Sequence, residues 1–180
     1  MFIDAVADSF ILRGRKPTGE PLTQLDLNKM AFYAHGWSLA LRGEPLTTEP
    51  FIAYKDGPVL VQFRRRFSRF GADEIKKTAV ITKPSQILAD WVENLLDEIW
   101  RIYGRINTGE LVGMTHRINT PWRIVRGDLP LGEPSDIQIS DDLIAHYFND
   151  LLKSECAAVP FLGSQSEIVR DFLACNVVYA

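Results

Sequence analysis

The chain has 180 residues, a formal net charge of −3, 46% hydrophobic residues and 24% charged residues. These values suit one soluble domain whose core needs neither disulfides nor a metal, and the acidic balance excludes bulk attraction to nucleic acid while leaving a local basic patch open. No apolar run approaches the ~20 residues that cross a bilayer; M-F-I-D-A-V-A-D-S-F lacks the basic flank and cleavage site of a signal peptide, so a cytoplasmic location is expected.

From Phe2 to about Leu12, the residues Ile3, Val6, Ala7 and Phe10 share one helical face, and Gly14 fits the left-handed position after a helix. Arg13 to Pro21 reads as a basic, turn-rich loop. Thr23 with Asp26 three residues later has capping-box spacing and opens a second helix. Its stripe is Leu27, Met30, Ala34, Trp37 and Leu41, with Phe32 and Leu39 off the stripe. A helix apolar on more than one side is expected to be central. Gly43 ends it and Pro45 bars continuation.

Phe51–Tyr54 reads as a short strand and Asp56-Gly57 as a turn, with Pro58 expected at the first position of a third helix. On that helix Val59, Phe63, Phe67 and Phe70 form the apolar face, Arg64, Arg65, Arg66 and Arg69 fill the other faces, and Gly71 closes it. Thr78–Thr82 is β-branched and is expected to pair with Phe51–Tyr54 in a two-stranded sheet or hairpin. Ser85 is expected to cap a long helix to about Tyr103, with Leu88, Trp91, Val92, Leu95, Ile99 and Ile102 inward. Short helices follow Thr108 and Thr120-Pro121, the latter ending near Gly127. The proline- and glycine-bearing stretch to Gln138 reads as a loop, and Ser140-Asp141-Asp142 opens a final helix. The sum is a mainly α fold: one compact helical domain over residues 1–153 with a minor β element. Residues 154–180 form an apolar tail, either a further helix near Gln165–Cys175 or a segment that orders on a partner.

No catalytic constellation stands out. The three histidines, His35, His116 and His146, form no His or Cys pair with zinc-ligand spacing, so neither metal nor cofactor is expected. His35, beside Trp37 on a core helix, reads as a satisfied structural imidazole, His116 as one bonded to turn backbone, and His146 as exposed and inert. Cys156 and Cys175 lie outside any C-x-x-C and are expected to be reduced thiols. Phosphate-loop patterns are absent; K-D-G-P-V carries a single glycine and reads either as a tight turn or as a rigid corner presenting Lys55 and Asp56. R-R-R-F-S-R is either a solvated face or a recognition patch, since arginine pairs with carboxylates and stacks on aromatics.

L-D-L-N-K-M-A-F-Y-A-H-G-W, then G-E-P-L and E-P-F-I-A-Y-K-D-G-P-V, then L-L-D-E-I-W-R-I-Y-G and M-T-H-R-I-N-T-P-W, together resemble the Panacea domain family, whose members include SocA-like antitoxins and GepA-like phage-associated proteins. The resemblance spans about Ile3 to Leu152. Tyr33, His35, Gly36, Trp37, Gly57, Pro58, His116, Pro121 and Trp122 match its signature positions, mainly as scaffold. Asp26, Asn28 and the Arg64–Arg66 run depart from the usual pattern. The resemblance implies a bacterial antitoxin, often prophage-borne and without catalytic residues, that neutralises a cognate toxin by direct binding. The expected contacts are Lys55, Asp56, Gly57, Pro58, Arg64, Arg65 and Arg69, together with the tail. The alternatives are a proteolytic adaptor delivering a toxin to a protease, a hydrolase using His35 or His116 with Asp56, and a DNA-binding repressor using the arginines. Membrane and nucleic-acid partners are not expected.

Overall fold

A computed structural model describes residues 2–156, with side chains to Lys153. The expected tail contacts, the helix near Gln165–Cys175 and both thiols lie outside this description. Helix α1 (Phe2–Arg13) leads through a loop to α2 (Gln24–Arg42). A hairpin of β1 (Phe51–Tyr54) and β2 (Gly57–Val59) precedes α3 (Val61–Phe67) and a single 3₁₀ turn (Ser68–Phe70). Two more 3₁₀ turns lead to α4 (Asp90–Tyr103), α5 (Thr108–Thr115), α6 (Pro121–Arg126), β3 (Gln138–Ile139) and α7 (Asp141–Cys156).

α2 is the axis of the molecule. Thr23 and Asp26 close a complete capping box, each side chain accepting from the other's backbone, and Gly43 ends the helix in the left-handed region at φ 69°. A cap of this kind contributes about 1 kcal/mol. Residues 26–38 are buried without interruption. Helices α1, α3, α4, α5 and α7 and strand β2 all pack on α2, which explains why it carries apolar side chains on several faces. The tightest seam is α2–α7. A Cβ on Gly36 would lie 2.1 Å from the Phe148 ring, so the absent side chain is what seats α7. Phe148 then packs edge-on against Phe32, Tyr33 and Trp37.

The fold is mainly helical, and its β element is larger than expected. The sheet has three antiparallel strands in the order β2-β1-β3, with Ile52 opposite Val59 on one side and Phe51 opposite Ile139 on the other. Thr78–Thr82 is not a strand. It begins in a 3₁₀ turn that takes the Ala79 and Val80 N–H groups, and those of Ile81 and Thr82 donate to the buried Asp8 carboxylate, so these four do not serve a ladder. Pro58 does not start a helix. It lies in β2 opposite Ala53, on an edge strand where a missing N–H costs nothing. Ser85 does not cap α4 either: a 3₁₀ turn at Pro84–Gln86 and extended Ala89 intervene, and the helix begins at Asp90. Within the segment expected to be loop, Ile137 and β3 join the sheet because the Ile137 carbonyl accepts from Ala53.

Candidate interaction site at the hairpin tip and arginine face

The β1–β2 turn is a tightly held surface feature. Lys55 and Asp56 are exposed, whereas Gly57 and Pro58 are buried, so only the first two of the four expected contacts are open to a partner. Gly57 holds φ +101°, and a Cβ there would lie 2.6 Å from both Lys29 Cε and Thr115 Oγ1. Only glycine permits both the conformation and the approach. Beneath the turn, the fully buried Lys29 Nζ donates to the Pro58 carbonyl at 3.1 Å, and Asn28 Oδ1 accepts from the Leu60 N–H at 2.9 Å. These two α2 side chains close the outer edge of β2.

From the other side, α6 holds β1. Trp122 Nε1 donates to the Tyr54 carbonyl at 2.6 Å and Arg126 Nη1 to that of Ala53 at 3.0 Å. His116 lies flat on Trp122, with ring centroids 3.8 Å apart and planes 6° from parallel. It does not make the backbone bond expected of it from Nε2, which is buried with no hydrogen-bond partner. Thr120 caps α6, with Pro121 in its first turn.

The electrostatics under the tip follow from burial. Desolvation pulls the Lys29 ammonium down to about 7, partly offset by Asp56 and Asp26. Desolvation, reinforced by Lys29, pulls the His116 imidazolium down to about 4. The exposed Asp56 thus sits over a lysine and a histidine that resist protonation.

The arginines divide into two kinds. Arg66 points inward, donating to Asp4 Oδ1 at 3.0 Å, to the Ala79 carbonyl at 2.9 Å and to buried Asp8. It is therefore part of the α1–α3 interface and not the solvated residue expected. Arg64 lies over the Tyr54 ring at 4.1 Å and Arg69 over Phe70 at 4.9 Å, while Arg65 is exposed. None of these three has a carboxylate partner among the described residues.

The remaining histidines are accounted for within the fold. His35 Nδ1 accepts from the Leu46 N–H at 3.2 Å, so its proton is on Nε2, which donates to Asp141 at 2.9 Å. Burial lowers its pKa against the pull of Asp141, which fits this neutral tautomer. His146 pairs with Asp150 on the exposed face of α7. Tyr33 stacks on Tyr103 at 4.1 Å, and Trp37 Nε1 donates to the Tyr103 hydroxyl at 2.9 Å. Among the described residues no three His, Cys, Asp or Glu side chains gather into a metal site, and no helix is long and apolar enough to cross a membrane.

Sequence reasoning missed Lys29, Asn28, Thr115 and Arg126 as supports of the tip. One signal was present: Lys29 has Phe32, Tyr33 and Gly36 at i+3, i+4 and i+7, which places a cation on an apolar face.

The family model for the antitoxin SocA-like, Panacea domain matches residues 27–123, more than half of the chain. That span starts on α2 and ends in α6, enclosing the hairpin, the arginine face and every support of the tip named above except Arg126. Antitoxin SocA of Caulobacter vibrioides (strain NA1000 / CB15N) is 28% identical over 159 residues, covering 82% of this chain and 82% of that protein. No solved structure matches. With more than half of its length in the family pattern, the chain belongs to the SocA-like antitoxins of the Panacea domain family.

Proposed function

We propose that this chain neutralises a cognate toxin by binding it directly, burying the toxin's active surface against the Lys55–Asp56 tip and the Arg64, Arg65 and Arg69 face. The observation that carries this reading is the pairing of a rigid, exposed turn with three guanidinium groups that no carboxylate of the described residues neutralises. Arginines held by stacking on Tyr54 and Phe70 keep their N–H forks free, and such arginines are favoured in interface hot spots because their planar forks meet carboxylates with little further ordering. Family membership supplies the antitoxin role. Inhibition then requires tight burial and no bond chemistry, which an interface of about 1,600 Å² supplies.

The test is co-expression with the product of the neighbouring reading frame. The parent should restore growth and co-purify with that product. Arg65→Glu combined with Arg69→Glu should lose both effects while the purified variant melts as the parent does. Full rescue by the double variant would remove the arginine face from the account.

A further inference from the structure

A groove of about 420 Å³ runs beside the hairpin tip, between the start of α2 and α3. That is within the ~300–1,000 Å³ of sites that enclose small ligands. Four features of its lining define what it accepts. Arg64 is held flat over Tyr54 at 4.1 Å, and its fork is spent on no carboxylate among the described residues. Asp56 lines the same groove, is exposed, and its side chain makes no ion pair or hydrogen bond among the described residues. In the same lining the half-buried Leu25 and buried Val59 supply apolar surface. The rim is low at Gly71 and Ala72, both exposed, and a Cβ on Gly71 would meet nothing within 4 Å.

We infer that this groove seats a short extended segment of the bound protein partner, with a carboxylate side chain on Arg64, an apolar side chain over Leu25 and Val59, and a cation near Asp56. The inference rests on the reading above that the partner is a protein. Charge complementarity selects the occupant. A groove bearing one unpaired cation and one unpaired anion suits a polypeptide that carries both signs, whereas a nucleic-acid backbone meets repulsion at Asp56. The low rim suits a chain that enters at one side and leaves at the other. The Tyr54–Arg64 stack fixes the cation in advance, so little side-chain entropy is lost when a carboxylate docks.

The experiment uses the full chain and the product of the neighbouring reading frame, with affinity measured on purified proteins. Ala72→Trp fills the groove from an exposed position, and Arg64→Glu reverses its cation. Each should weaken the complex about tenfold or more while leaving the melting temperature unchanged. Reversing one acidic residue of the partner to Arg should restore binding to Arg64→Glu and not to Ala72→Trp. If the parent binds and both variants bind equally well, the groove is overturned while the antitoxin reading stands. If the parent forms no complex, that reading fails and the groove falls with it. A short DNA duplex bound by the parent and released by Arg64→Glu would assign the cation to nucleic acid and overturn the inference.

Discussion

The Lys29 ammonium donates to the Pro58 carbonyl at 3.1 Å from a fully buried position, so the central helix reaches under the hairpin and holds the surface that displays Asp56. The tip is rigid because helices from both halves of the chain grip its backbone: α2 through Lys29 and Asn28, α6 through Trp122 and Arg126.

Substituting Gly57 by Ala tests that grip. The new Cβ meets Lys29 and Thr115 at 2.6 Å in a backbone conformation at φ +101°. Strain and overlap together should cost about 2–3 kcal/mol in denaturant unfolding. A loss below about 0.5 kcal/mol, the usual surface value, would show that the turn is free to move.

Lys29 also makes stability depend on pH. Its folded pKa of about 7 lies below the ordinary lysine value of 10.5. Between those values the unfolded chain holds a proton that the folded chain has released, so stability rises with pH across the window, by about 1.4 kcal/mol per unit from this group. Below pH 7 both states hold the proton and the folded state bears the full cost of a buried charge. Stability of Lys29→Met relative to the parent should therefore be higher at pH 6 than at pH 9, whatever the lost bond to the Pro58 carbonyl costs at both. Unfolding curves at the two pH values check this; an unchanged difference would mean that the ammonium is not desolvated.

At the α2–α7 seam, Gly36→Ala places a methyl 2.1–2.5 Å from the Phe148 ring. A loss of about 2–3 kcal/mol is expected from overpacking. Phe148→Leu on its own should destabilise by leaving space, yet the double variant should recover part of the single losses because the two positions share one volume. Strict additivity in the double-mutant cycle would contradict the contact.

Arg66 and Arg65 separate stability from recognition within one run. Arg66→Ala leaves the fully buried Asp8 carboxylate with the Ile81 and Thr82 N–H groups but no cation, and should cost about 3–5 kcal/mol, the range for breaking a buried pair. Arg65→Ala should change stability by no more than about 0.5 kcal/mol and weaken partner binding. Thermal melts and a binding titration of each variant distinguish the two roles, and reversed outcomes would reject the division.

Much of the helical frame is legible in the sequence because its signals are local. Thr23 with Asp26 opens α2 and Gly43 ends it; Thr120 with Pro121 opens α6. The sheet is less legible because its partners are distant. Nothing near Thr78–Thr82 announces that Asp8 takes its backbone N–H groups, and the two-residue β3 is too short to leave a period. The site is hidden for the same reason. Arg64, Arg65 and Arg66 look alike in the run, and only Asp4 and Asp8, some sixty residues earlier, set Arg66 apart. His116 looks like a turn residue until α6 folds back and lays Trp122 against it.

The most direct measurement is calorimetric titration of the purified toxin with the purified chain, followed by intact-mass analysis of both proteins. Action by burial gives saturable binding at a fixed stoichiometry, loss of toxin activity in proportion to occupancy, and two unaltered masses. Inactivation of the toxin by a small fraction of an equivalent of the chain, with a changed toxin mass and no lasting complex, would contradict the account.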